Sequence, residues 1–193
     1  MTPAPEPVRL DFTLQGDRAH VRATDVLSAL MTQFPDRPLT LKFARPLAGP
    51  AHLHCPPRPG GAVAGRAGEV GFSLTADPDA PASRRAADRT PAFHVRIGLL
   101  DVFVFKPGTP LAARIAAIFD RLHPLQTERF VVRQITVFSG PARPGPVLWT
   151  RLTIAEDRSR ARLHLTTPAG RLATLEFHLT ARSLAAAVPQ STG

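Results

Sequence analysis

The chain predicts an α+β fold in which an antiparallel sheet wraps around a central helix, with that unit repeated twice. Three observations predict it. An apolar helical run at 26–35, opened by Thr24-Asp25, is followed by a strand-like stretch at 39–43 and then by Leu47-Ala48-Gly49-Pro50. A second run at 111–124, opened by Thr109-Pro110, is followed by a strand-like 130–138 and again by Ser139-Gly140-Pro141. Near the end, Ala173, Leu175, Phe177 and Leu179 alternate with Thr174, Glu176, His178 and Thr180. That two-residue period belongs to a half-buried strand.

The first half offers a hairpin-like 8–14 and 20–22 around Gly16-Asp17, then the helix, 39–43, 52–54 and 69–75. It reads as a shortened version of the unit. Two stretches interrupt the pattern, 55–68, headed by Pro56-Pro57-Arg58-Pro59-Gly60-Gly61, and 77–91, which holds Pro78, Pro81 and Arg84-Arg85. Neither is periodic, and both read as mobile loop or linker. The expected organisation is therefore a first half at 8–80, a linker at 81–91, a second half at 92–183, and flexible ends at 1–7 and 184–193.

In the second half, 93–105 reads as one long strand buried on both faces or strongly curved. Lys106-Pro107-Gly108 breaks it. Thr109 is placed to cap the following helix and Pro110 to occupy its first position. Ala112, Ile115, Ala116, Phe119 and Leu122 recur at helical spacing, with Arg114 and Arg121 off that face, and Pro124 ends the run. Strands follow at 130–138, 147–155, 160–166 and 172–181, the last two joined by the turn Thr167-Pro168-Ala169-Gly170.

At 193 residues and 44% apolar content the chain can bury a core. No apolar stretch reaches the roughly 20 residues of a membrane-spanning helix, and the first residues show no secretion leader. The expectation is a cytoplasmic protein with no membrane partner. Cys55 is the only cysteine, which excludes an internal disulfide and a cysteine-built zinc site. The net charge of +9 rests on arginine, since only Lys42 and Lys106 are lysines. Codon usage in a GC-rich genome produces the same bias, yet the charge attracts phosphates, acidic proteins and nucleic acid whatever its origin. The arginines are scattered singly. With no tyrosine and the single tryptophan Trp149, there are few stacking platforms, which argues against nucleic acid.

Strand, central helix and then a run of antiparallel strands resembles the hot-dog fold, and two such units in one chain resemble the double hot-dog proteins. The stretch Phe103-Val104-Phe105-Lys106-Pro107-Gly108-Thr109-Pro110 is similar to the Pro-Gly step before the central helix of polyketide dehydratase-type domains. The resemblance implies handling of acyl thioesters carried on coenzyme A or an acyl carrier protein, by dehydration, thioester hydrolysis or acyl transfer. It implies no cofactor beyond the coenzyme A or phosphopantetheine arm that carries the substrate. Dehydratase-type members place a histidine about nine residues before that proline, where this chain has Gly98. Their aspartate, expected in the second copy, has Asp25 of the first half as its only loose counterpart.

Several residues could carry chemistry. Asp25, at a helix start, is placed either as a first-turn carboxylate that complements the helix dipole or as a catalytic acid or base, with His20 close by in sequence. Asp101, isolated among Leu99, Leu100, Val102 and Phe103, must be paired, functional or open to water at a bulge. Glu176 and His178 share a strand face, with His164 across the hairpin, and form either a general-base couple or a solvated outer face. His52 and His54 share a face compatible with two metal ligands or with a merely polar surface, and no metal site is assigned. Cys55 lacks an activating helix end. The functional alternatives are an acyl-thioester enzyme or binder and a non-catalytic partner protein, with nucleic-acid binding third. A homodimer through the second half is expected if the first half cannot pair.

Overall fold

Two short apolar helices decide the layout. In α1 (Ala23–Gln33), Val26, Leu27 and Leu30 project from one side and are fully buried. In α2 (Leu111–Phe119), burial runs nearly all round the helix, as it must when a sheet encloses it. The two helices pack against each other. The structure is a computed structural model that describes residues 6–16, 18–86, 90–121, 129–138, 145–156 and 159–180. The expected flexible ends, apart from residues 6 and 7, lie outside the described residues, as do Leu122 and Pro124.

Thirteen strands accompany the helices among the described residues: β1 (Val8–Leu10), β2 (Thr13–Gln15), β3 (Leu39–Phe43), β4 (Ala51–His54), β5 (Val63–Ala67), β6 (Val70–Ala76), β7 (Ser83–Arg85), β8 (Ala92–Ile97), β9 (Leu100–Phe105), β10 (Arg129–Val137), β11 (Val147–Ile154), β12 (Arg160–Thr167) and β13 (Gly170–Thr180). Eleven form one sheet in the order β1-β4-β6-β5-β3-β10-β13-β12-β11-β9-β8, antiparallel at every pairing. The halves meet where β3 pairs with β10, through Leu39 with Val137 and Leu41 with Ile135. All four of these side chains are buried, in a core shared by both helices. The fold is thus a largely antiparallel sheet with two helices.

The strand orders do not establish the expected repetition. From the seam outward the second half runs β10, β13, β12, β11, β9, β8, whereas the first runs β3, β5, β6, β4, β1. In the second half the strand beside the seam strand is β13, the last of that half, whereas in the first it is β5 and the later β6 lies one place further out, so the two orders do not superimpose. The cause is β5, which falls inside the 55–68 stretch read as loop. Its Ala-Gly-Arg-Ala sequence carries no strand signal, yet Val63 and Ala67 are fully buried between β3 and β6. The 77–91 stretch likewise contains β7, which pairs in parallel with β2. The expected N-terminal hairpin is absent, because β1 pairs with β4 and β2 with β7.

Residues 93–105 are a hairpin, not one strand. Gly98 takes φ of +60° at its turn, and the outward side chains of Phe93 and Leu99 are 65% and 73% exposed. The apolar run therefore came from an exposed sheet face, which periodicity cannot tell from burial. Thr109 does not cap α2: Pro110 holds that position, and the Thr109 hydroxyl donates to the Lys106 carbonyl. Arg114, expected off the apolar face, is only 1% exposed. Its guanidinium donates to the carbonyls of Thr109 and Gly145 and lies over the Phe105 ring, so its charge is spent on backbone acceptors. The four later strands fall where the sequence put them.

Gly65 shows how tightly β5 is held. A Cβ there would come within 2.1 Å of the Thr40 carbonyl oxygen and 2.7 Å of the Phe72 ring. Neither the backbone oxygen nor the buried ring can retreat. Gly65→Ala should lower the unfolding free energy by about 1–3 kcal/mol in urea denaturation. Gly145→Ala, which meets nothing within 4 Å, should stay within about 0.5 kcal/mol of the native chain.

Candidate functional site

The first turn of α1 carries a half-buried carboxylate held between an amide and an arginine. Asp25 lies in that turn, where backbone N–H groups favour negative charge. Arg22 caps the helix with extended geometry and no side-chain cap, so Asp25 is the acidic group nearest the helix start. It is half-buried, with its side chain 21% exposed. The Gln15 amide nitrogen, from the end of β2, reaches both carboxylate oxygens at 3.3 and 3.4 Å. Arg22 donates to the Gln15 oxygen at 3.0 Å and lies 3.5 Å from Asp120, just past α2. Arg85, from β7, stands 3.7 Å from Asp25. Burial pushes the Asp25 carboxyl above its ordinary value of 3.8, against the opposing pull of Arg85, Arg22, Arg18 and the Gln15 amide. A carboxylate moved toward neutrality is a better base.

The other candidates are placed elsewhere. Asp101 is buried on β9 and is paired: His94 Nε2 lies 2.8 Å from its Oδ1. The His94 ring stacks on Phe103 at 4.3 Å between centroids, nearly parallel. Thr150 donates to the Asp101 carbonyl. His94 was not singled out in the sequence, because the long-strand reading of 93–105 gave it no carboxylate neighbour. Once the chain turns at Gly98, His94 faces Phe103 and sits diagonal to Asp101 on the same side of the hairpin. Gln15 carries no sequence signal of its own.

Glu176 and His178 do alternate with buried Leu175 and Phe177, on the polar side of β13. Glu176 is held by Arg162 at 2.7 Å, across from it on β12. His164 bonds to Thr174, and burial, followed by the fields of Arg171, Arg162 and Arg151, lowers its pKa. His20 is exposed in a bend before α1. His52 lies 3.4 Å from Asp77, and His54, buried, bonds to Thr75 at 2.8 Å. Among the described residues no group of three or more potential ligands gathers to hold a metal ion, and no helix is long and apolar enough to cross a membrane. Burial raises the pKa of the Cys55 thiol, the opposite of activation.

No family model matches the sequence, and no curated protein does. Solved structures match its shape. A conserved protein of unknown function with a hot dog fold from Alicyclobacillus acidocaldarius aligns over 92% of this chain and 94% of its own, at 14% identity and a TM-score of 0.50. The tesB protein of Mycobacterium avium subs paratuberculosis aligns over 90% and 93%, at 12% identity and a TM-score of 0.52. A protein provisionally designated an oleoyl thioesterase, from Lactobacillus plantarum, aligns over 94% and 99%, at 8% identity and a TM-score of 0.52. At these identities the likeness is one of fold, and the chain has the hot-dog fold.

The burial of Asp25 has a consequence for stability. Its pKa is higher folded than unfolded, so the folded state binds the extra proton. Its contribution is fully present below the unfolded value and is lost as pH rises through the folded value. At pH 7 the native chain carries that loss and Asp25→Asn does not. The variant should melt at or above the native Tm at pH 7, with the gap closing as pH falls toward 3.8. Calorimetry at several pH values measures it.

Proposed function

We propose that the chain hydrolyses or otherwise handles acyl thioesters, with Asp25 as the proton-accepting group. One observation carries this reading: a half-buried carboxylate of raised pKa in the first turn of α1, oriented by the Gln15 amide. The support from shape is that one similar solved structure bears a thioesterase designation. In the hydrolytic form, Asp25 takes a proton from water as its oxygen bonds the thioester carbonyl carbon. The α1 N-terminus favours the negative charge that develops on the carbonyl oxygen. The C–S bond then breaks, and the proton held by Asp25 leaves with the thiolate. Gln15 fixes the carboxylate and Arg22 fixes Gln15. The substrate class is acyl-coenzyme A or acyl carrier protein, with the thioester arm as the substrate's own carrier.

A second form, elimination of water from a hydroxyacyl thioester, is favoured by the His94–Asp101 couple, in which Asp101 orients an imidazole that could act as base. The position expected for a dehydratase histidine, Gly98, cannot do this. The non-catalytic alternative stays in play as binding without turnover. We further propose that the two halves descend from one duplicated unit. In each, the strand that follows the helix lies at the seam; the β5–β6 order departs, and β8 has no counterpart at the outer edge of the first half. Because β3–β10 closes the sheet within one chain, a second copy is not needed to complete it.

A panel of acyl and hydroxyacyl thioesters of coenzyme A and acyl carrier protein, read by thiol release, by mass spectrometry for loss of water and by thermal shift, tests the reading. Turnover should fall by about 10²–10⁴ in Asp25→Asn. It should fall in His94→Ala as well only if elimination is the reaction. A shift without thiol release or dehydration would favour the binder, and neither shift nor turnover would sink the acyl reading.

A further inference from the structure

The polar side of β12 and β13 carries a cleft that the acyl reading does not use. It spans about 320 Å³ and is lined by Arg133, Arg160, Arg162, Glu176 and His178, with Thr153 on the same face opposite Arg162. The strands explain the gathering. Arg162 faces Glu176 and Arg160 faces His178 across the β12–β13 ladder. The register of β10 against β13 slips between Val132 and Gln134, and this irregularity delivers Arg133 to the same place. Cross-strand neighbours of this kind stand about 5 Å apart.

The charges do not balance. Three guanidinium groups line the cleft against the single carboxylate of Glu176, which Arg162 already engages at 2.7 Å. Among the described residues Arg133 and Arg160 make no ion pair. The excess spreads beyond the cleft, since Arg151 and Arg171 join Arg162 in acting on His164 along the same side of the sheet. Two arginines with no ion pair among the described residues match a ligand that carries two negative charges at one end. A phosphate monoester or a diphosphate has that charge, and guanidinium forks match its oxygens two at a time. A monocarboxylate would leave one positive charge unmatched.

We infer that this cleft binds the phosphate end of a small molecule, independently of any chemistry at Asp25. The shared chemistry is a dianionic phosphate group. Inorganic pyrophosphate and AMP separate a free phosphate from an organic one.

Titration calorimetry of the native chain with pyrophosphate, AMP and acetate at low salt tests it. Saturable binding of pyrophosphate or AMP, weakened by added salt and at least tenfold tighter than acetate, is expected. Arg160→Ala should weaken it about tenfold and Arg133→Ala/Arg160→Ala by more, while Arg160→Lys recovers only part of the loss. Arg66→Ala, whose arginine pairs with Glu69 on β5 and its turn, should bind as the native chain does. These exposed arginines leave the core intact, so unliganded Tm values should agree. Equal affinity for acetate, or unchanged affinity in the double variant with an unchanged Tm, would overturn the inference. Should the double variant unfold, Arg160→Ala alone decides by the same criterion.

Discussion

The pairing of β3 with β10 is the interaction on which the rest depends. Leu39, Leu41, Ile135 and Val137 close the seam, and they do so beneath two helices that pack on each other. Without it each half would present a central strand as an open edge, a row of unpaired backbone groups that invites aggregation. With it, one core runs through both halves. It also brings residues 98 positions apart into contact, since Arg22 at the head of α1 reaches Asp120 at the foot of α2. That contact reaches the candidate site. Arg22 is fixed by Asp120 and donates to the Gln15 oxygen, so the Gln15 nitrogen must turn the other way, toward Asp25. The orientation of one amide thus follows from the joining of two half-sheets.

Much of the fold was legible because its long strands obey simple periods. The alternation of β13 needs only a two-residue pattern, and Leu175 and Phe177 are buried as it requires. The helices were legible from spaced apolar residues. What failed was local. β5 is made of small residues and was hidden in a proline- and glycine-rich stretch, where burial comes from close approach of neighbouring strands. The β8–β9 hairpin was read as one strand because its outward face is apolar, with Phe93, Ile97 and Leu99 exposed. Arg114 was placed outside because charge suggests a surface. The carbonyls of Thr109 and Gly145 can satisfy it inside, and only tertiary structure supplies the second.

The candidate site was legible in its carboxylate and not in its surroundings. Asp25 stands out in sequence as an acidic residue at a helix start. Gln15 and Arg85 come from β2 and β7, which pair in parallel across a stretch the sequence marked as linker. His94 was lost with the hairpin. The error in one element therefore removed a partner from the very residue, Asp101, whose isolation had looked suspicious.

Burial separates these acids by the work their surroundings do. Glu176 is matched by Arg162 on a solvated face, and Asp101 is matched by His94, so each has an ordinary structural account. A carboxylate in the first turn of a helix also has one, but that account places it in water, where the dipole stabilises it without desolvation. Asp25 does not fit. Three arginines and an amide favour its charged form, and burial still wins, leaving the proton held more tightly than in solution. A capping role gains nothing from that arrangement, whereas a proton acceptor does, because its basicity rises while the arginines keep it ionisable. On the proposed reading, local stability is given up at Asp25 in exchange for a group that can take a proton.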